Sequence, residues 1–318
     1  MKRVLLTGCA GFIGFHLSKE LIKNDKYLVF GVDNFARGSR DQALADLCKN
    51  NNFKFIEGDL TSSSFVNSLP SEIDYVVHLA ALNGTQNFYR IPFDVAVSCA
   101  IPTWNLIEKY RKVAITKFIF SGTPESYATG VDLGIVKVPT SEDVPLTISS
   151  PHEARWSYAT GKTFSEVLLA NAYAQFGFPS LILRLHNIYG TRMGKHHFIP
   201  DFLERTSLED FVLEGAENTR SFLYVDDAIT DIISLLELDL ANSTILNIGS
   251  MQETSIYSVA MEILELLGIQ ADLKVNPAPS GSVLRRIPDI SLVDKILGER
   301  SRLSLRDGLQ HCINEFHS

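Results

Sequence analysis

The chain has 318 residues, with 29 Lys and Arg against 37 Asp and Glu, a net charge of −8 and a hydrophobic fraction of 45%. That length holds one large α/β domain or two modest ones, and the acidic balance argues against a general nucleic-acid or anionic-membrane binder. No apolar run approaches the roughly 20 residues of a membrane span, and the four scattered cysteines (Cys9, Cys48, Cys99, Cys312) fit a reduced cytoplasm.

Val4-Leu5-Leu6 is a short apolar run that stops at Thr7-Gly8, after which Phe12, Ile13, Leu17 and Leu21-Ile22 recur at helical spacing. The basic start and apolar run resemble a signal peptide, but the glycines fit a strand, turn and helix better. Tyr27 to Asp33 reads as a strand ending in an acid. Further strands are predicted over 53–57, 75–79, 118–120 and 181–185, with helical stretches between most of them. This alternation over the first ~180 residues predicts βαβ units around a parallel sheet. A helix over 158–176 stops at Gly177-Phe178-Pro179. The elements beyond are mixed. One amphipathic helix near 256–267 is ended by Gly268, and another near 304–316 has Ser304 and Asp307 as a capping box.

Gly8, Gly11 and Gly14 lie between the first strand and the first helix at spacing G-x-x-G-x-x-G. Gly8 permits a tight turn, Gly11 lets backbone approach a pyrophosphate, and Gly14 lets helix pack on strand. The helix N-terminus then offers free N–H groups to the anion. Asp33, about twenty residues on, ends the second strand where an acid holds the adenosine ribose hydroxyls and repels a 2′-phosphate. NAD is therefore expected over NADP, with Arg37 and Arg40 nearby as the features that pull the other way.

Tyr158 and Lys162 stand at i and i+4 on one face of the predicted helix. A phenol, with a pKa of about 10, is a poor base at neutral pH. A neighbouring ammonium stabilises the phenolate, so Tyr158 can take a proton from a sugar hydroxyl. His186, His196 and His197 cluster loosely without matching acids or cysteines, and no metal site is expected.

The order and distance of these signals resemble an extended short-chain dehydrogenase/reductase of the nucleotide-sugar epimerase and dehydratase group. The resemblance runs nearly end to end, through Gly58-Asp59-Leu60, His78-Leu79-Ala80-Ala81, Phe120-Ser121-Gly122-Thr123 with Tyr127, and Arg184-Leu185-His186-Asn187-Ile188-Tyr189-Gly190. It continues through Arg220 to Asp227 and Arg285 to Ile290. It implies a Rossmann-type doubly wound parallel sheet over 1–180, with chain returning near 222–250. A smaller C-terminal nucleotide-sugar-binding domain is expected from 181–221 and 251–318. The implied NAD contacts are Gly8, Gly11, Phe12, Ile13, Gly14, Asp33, Asn34, Asp59, Leu60, Leu79, Ala80, Ala81, Tyr158 and Lys162, with Asp59 and Leu60 at the adenine. Thr123, Glu125, Tyr158 and Lys162 are the implied catalytic group, and Asn187, His197, Arg220 and Arg286 the implied substrate contacts. A guanidinium fork suits a diphosphate. The segment 195–202 would line the nucleotide pocket, and His152 and Arg155 could reach the sugar.

Departures from the pattern bear on the reaction. The family's Ser-Ser-x-x-Val-Tyr-Gly stretch reads Gly122-Thr123-Pro124-Glu125-Ser126-Tyr127-Ala128, so Pro124 replaces the Asp of the 4,6-dehydratases. Glu125 stands where dehydratases and UDP-glucuronate decarboxylases place a functional Glu near C5 of the sugar. Cys99 replaces an Asn that commonly sits beside the cofactor. The expected activity is an NAD-dependent nucleotide-sugar epimerase working by transient C4 oxidation. The alternatives are a dehydratase or UDP-glucuronate-type decarboxylase using Glu125, and a catalytically silent NAD-binding regulatory protein. The partner is a nucleotide-diphosphate sugar, with no nucleic acid and no membrane. A homodimer is implied through the helix after Asp94 and the Tyr158 helix, with Val95, Trp104, Ile107, Phe164, Leu168 and Tyr173 as contributors.

Overall fold

Strand and helix alternate from the start of the chain in the order β1 (Lys2–Thr7), α1 (Phe12–Leu21), β2 (Tyr27–Asp33), α2 (Gln42–Leu47), β3 (Phe53–Glu57), α3 (Ser63–Ser68), β4 (Tyr75–His78), α4 (Thr85–Arg90), α5 (Pro92–Tyr110), β5 (Lys117–Gly122), α6 (Ala128–Asp132), α7 (Trp156–Phe176) and β6 (Ser180–Leu185). The computed structural model describes every residue except Asn24, Lys195, His196, Ala241, residues 279–281 and Ser318. Strands β2 and β3 begin and end where the alternation of apolar residues places them. The 118–120 run extends to six residues because its flanks, Lys117 and Gly122, are also buried. Gly177 takes the left-handed conformation (φ 66°) that caps α7, as its sequence predicts.

Later elements are β7 (Ile188–Tyr189), α8 (Phe198–Thr206), β8 (Val212–Glu214), β9 (Thr219–Ser221), β10 (Leu223–Tyr224), α9 (Val225–Glu237), β11 (Thr244–Ile248), β12 (Glu253–Ser255), α10 (Ile256–Leu267), β13 (Lys274–Asn276), β14 (Arg285–Arg286), α11 (Ser291–Leu297) and α12 (Leu305–Phe316). Gly268 caps α10 at φ 68°. Ser304 caps α12, accepting the Asp307 N–H at 3.1 Å while its hydroxyl donates to the Asp307 carboxylate at 2.6 Å.

The seven-stranded sheet runs β11-β6-β5-β4-β1-β2-β3. Pairs β2–β3, β1–β2, β1–β4, β4–β5 and β5–β6 are all parallel. The chain winds from β1 outward through β2 to β3, then restarts at β4 on the other side of β1. The order therefore reverses beside β1, the position where such sheets bind ligands. One apolar layer of the sheet, with Leu5, Val76, Phe118, Phe120 and Ile182, packs on Leu106, Tyr110 and Leu169 from α5 and α7.

Two units emerge: Met1–Ser126, Ser150–Arg184 and Ile229–Leu246 form the first, and Tyr127–Ser149, Leu185–Ala228 and Asn247–Ser318 the second. The segment Tyr127–Ser149 thus clusters with the second unit. In that unit Asn247, fully buried, accepts from the Tyr127 hydroxyl and meets His186 Nε2, each at 3.0 Å. Its amide donates to the Thr140 and Asp289 carbonyls, also at 3.0 Å. No helix among the described residues is long and apolar enough to cross a membrane.

Candidate active site

The glycine turn leaves β1 through Gly8, whose φ of +75° suits a residue without a side chain. A Cβ there would sit 2.9 Å from the Ala80 nitrogen, and one on Gly14 would run into the Gly8 carbonyl. The first helical bond of α1 is Phe15 N–H to Gly11 O at 2.9 Å, so the N–H groups of Phe12, Ile13 and Gly14 precede the ladder. Asp33 is 8% exposed and accepts the Ala10 N–H at 2.9 Å through one oxygen and the Phe35 N–H at 2.8 Å through the other. The acid therefore braces the turn as well as closing β2, and a carboxylate oxygen retains lone-pair capacity for a ribose hydroxyl. Backbone free of side chains, helix N–H groups and a buried acid together fit a dinucleotide.

Other cofactor candidates are placed less uniformly. Thr7 Oγ1 accepts the Ala80 N–H at 3.2 Å and meets His78 Nδ1 at 2.7 Å, tying the ends of β1 and β4 together beside Leu79 and Ala81. The Asn34 side chain accepts the Ala36 N–H at 3.0 Å. Asp59 is exposed and accepts from the Thr61 backbone and hydroxyl, both at 2.8 Å, whereas the Leu60 side chain is buried in the core. Of the two arginines near Asp33, Arg40 pairs with Glu57 and lies 4.0 Å over the Phe35 ring. Arg37 donates to the Asn83 carbonyl at 2.5 Å, against Gly84, where a Cβ would run into its guanidinium.

Tyr158 and Lys162 project from the first turns of α7 toward the end of β5. Thr123 Oγ1 accepts the Glu125 N–H at 3.2 Å, leaving its own proton for the Tyr158 oxygen, to which it is hydrogen-bonded. Burial pushes the Tyr158 phenol up, and Cys99 and Glu125 act the same way. The Thr123 bond and the Arg37 charge pull it down. Lys162 is 1% exposed and donates to the Ser121 carbonyl at 2.8 Å and hydroxyl at 3.1 Å. Burial pushes its ammonium down, with Cys99 and Glu166 opposing. Phe88 of α4 stacks on the Tyr158 ring, centroids 5.3 Å apart. Glu125 pairs with Arg155 at 3.2 Å, both largely buried, whereas His152 is exposed.

The four catalytic candidates are thus gathered within the first unit. Sequence reasoning missed the contacts of Ser121, Arg37 and Phe88. Ser121 was legible as the residue two before Thr123 in the motif, but nothing in the motif marks Arg37 or Phe88. Cys99 is buried where α5 meets α7, and a Cβ on Gly161 would stand 2.8 Å from its Cβ. Cys99 therefore packs helix on helix there.

The substrate candidates lie in the second unit. Arg220 and Arg286 are register partners on parallel strands β9 and β14, and Arg220 donates to the Thr219 and Val283 carbonyls at 2.7 Å. Asn187 holds φ +39°, and its amide nitrogen is buried without a hydrogen-bond partner among the described residues. His197 precedes α8, while Lys195 and His196 lie outside the described residues. Among the described residues no group of three or more His, Cys, Asp or Glu could hold a metal.

Known proteins share this architecture along the whole chain. A UDP-N-acetyl-alpha-D-glucosaminuronate decarboxylase of Bacillus cytotoxicus is 32% identical over 99% of this chain and 98% of its own. The structure of a UDP-glucuronic acid 4-epimerase from Bacillus cereus, in complex with UDP-glucuronic acid and NAD, is 27% identical, with a TM-score of 0.88 over 99% of each chain. That of a UDP-glucose 4-epimerase from Thermotoga maritima, with UDP-glucose, is 29% identical, with a TM-score of 0.87 over 99% and 98%. The model of the NAD dependent epimerase/dehydratase family matches residues 4–249, and the chain belongs to that family of NAD-dependent nucleotide-sugar enzymes.

Proposed function

We propose that the protein oxidises C4 of a nucleotide-bound hexuronate and decarboxylates the resulting 4-keto sugar. The observation that carries this reading is the Glu125–Arg155 pair beside Tyr158. Plain 4-epimerisation turns the ketone over between two hydride transfers and needs only Tyr158 and Thr123. A largely buried ion pair has a desolvation cost and no task in that reaction. In a hexuronate it has one, because an arginine fork holds a carboxylate. The similarity to a glucosaminuronate decarboxylase supports the same choice.

Tyr158 takes the proton of the C4 hydroxyl while Thr123 orients the oxygen. NAD held by the Gly8–Gly14 turn and Asp33 would supply reversible hydride transfer with C4. The 4-keto hexuronate is a β-keto acid, so the C5–C6 bond breaks and leaves its electron pair in an enolate at C4 and C5. Thr123 and the protonated Tyr158 donate to the enolate oxygen. Glu125, its arginine taken by the substrate carboxylate, takes up a proton from solvent and delivers it to C5 after CO₂ departs. Tyr158 returns its proton to O4 as the hydride comes back.

A 4-epimerase, the reaction first expected from the sequence, shares the opening step and is supported by the likeness to epimerase structures. A dehydratase needs an acid where Pro124 carries none. We further propose that the first unit binds NAD and the second the nucleotide sugar, in the cytoplasm. A homodimer forms through α5 and α7, on which Trp104, Phe164 and Tyr173 are 49%, 50% and 39% exposed. Val95 and Ile107, also expected at that interface, are buried inward instead.

The test incubates the holoenzyme with UDP-glucuronate, UDP-N-acetylglucosaminuronate, UDP-glucose and UDP-N-acetylglucosamine, read by mass and NMR. Loss of CO₂ from a uronate is expected. Product of unchanged mass assigns the epimerase instead. Glu125→Gln should slow turnover by about 10²–10⁴-fold and build up NADH, the loss expected for a general acid. Tyr158→Phe should prevent oxidation and give no NADH.

A further inference from the structure

Ser121 lies on β5, and Thr123 follows one residue past its last residue, Gly122. Tyr158 and Lys162 are four apart on α7, on one helix face. The two pairs meet in reverse order: Thr123 bonds Tyr158, and Ser121 bonds Lys162. A strand advances about 6.6 Å over two residues and a helix about 6 Å over four, so both rungs are made without distortion.

The direction of the second rung is fixed by proton count. Lys162 has only donors, so Ser121 Oγ accepts from it at 3.1 Å. The single proton of that hydroxyl then goes to the His78 carbonyl, also at 3.1 Å. With the Ser121 carbonyl at 2.8 Å, two of the three ammonium protons have assigned acceptors. The third is aimed by the first two. Lys162 is buried, as are Ser121 at 8% exposure and His78 at 0%, so no water competes freely for these bonds. Burial and the nearby Lys162 charge hold the His78 imidazole well below its usual range, so the ring adds no charge.

We propose that Ser121 is a positioning residue for the reaction, fixing the Lys162 ammonium at the distance from Tyr158 at which its charge supports the phenolate. The Lys162 nitrogen lies 5.9 Å from the Tyr158 ring centre. The other groups facing Tyr158 are Arg37 from the loop after β2, Cys99 of α5, and Glu125 with its partner Arg155. None of them contacts Ser121 through the bonds described, so removing the hydroxyl disturbs only the Lys162 ammonium among the charges near Tyr158. The proposal rests on the reading of Tyr158 as base.

The experiment follows reduction of bound NAD in the first turnover of the holoenzyme as a function of pH, for wild type, Ser121→Ala, Ser121→Thr and Tyr158→Phe. Cofactor affinity is measured in parallel by calorimetry. Ser121→Ala should move the acidic limb upward by about one pH unit, a rate loss of about tenfold below it, with the sugar KM unchanged. Ser121→Thr, which keeps the hydroxyl, should return the limb to its wild-type position. A limb unmoved in Ser121→Ala, or a Thr variant that behaves like the Ala variant, overturns the proposal. Tyr158→Phe separates the two claims. If it still reduces NAD at the wild-type rate, the reading of Tyr158 fails. If it does not, and the Ser121→Ala limb stays in place, the positioning role alone fails.

Discussion

Glu166 and Arg184 meet at 2.6 Å with side chains 5% and 2% exposed, directly behind Gly122 on β5. A Cβ on Gly122 would stand 2.6 Å from Glu166 Oε1 and 2.9 Å from Arg184 Cγ. The glycine that departs from the family's Ser-Ser stretch is therefore matched to a buried ion pair on the far side of the strand from Ser121. Gly122→Ser should cost about 1–3 kcal/mol of unfolding free energy, the range for overpacking. Glu166→Gln leaves a buried guanidinium without its charge partner and should cost about 3–5 kcal/mol. Urea denaturation of both variants checks the order. A Gly122→Ser protein as stable as wild type would contradict the crowding.

Arg37 is the cation that pulls the Tyr158 phenol down, against burial, Cys99 and Glu125. Activity needs the phenolate, so the rate rises with pH through the ionisation of Tyr158. Removing the cation moves that ionisation to higher pH, and the acidic limb of Arg37→Gln should shift upward by about one unit. Arg37→Lys should shift it less. Rate against pH, with NAD affinity measured separately, distinguishes this from a cofactor-binding defect.

The proposed dimer gives a solution test. Trp104 of α5 and Phe164 of α7 present large apolar side chains outward from helices that pack on each other. Wild type should have twice the monomer mass by light scattering at micromolar concentration, and Trp104→Glu with Phe164→Glu should be monomeric. A monomeric wild type removes the interface.

How much of this was legible beforehand follows from how local each signal is. The turn at Gly8–Gly14 and the acid at Asp33 are set by neighbours in the chain, and the structure places them together. Tyr158 and Lys162 needed only helical periodicity. The hydroxyl that holds Lys162 belongs to a strand some forty residues earlier, so its role required the packing of α7 on β5. Glu125 shows the same limit, since the motif places the carboxylate but only the fold shows Arg155 beside it. Leu60 was read as a contact because it follows Asp59. Its side chain, in the turn after β3, lies in the core.

Arg286 and Arg220 lie side by side in the parallel register of β14 and β9. Two like charges opposite one another on neighbouring strands work against the ladder that holds them. An anion bridging the pair would reverse that sign, so the diphosphate of the proposed substrate would act as a folding ligand of the three-stranded β12-β9-β14 sheet. Salt, by screening the same repulsion, takes over part of the task. Nucleotide diphosphate should therefore raise the melting temperature most in dilute buffer, where the repulsion between the two arginines is least screened.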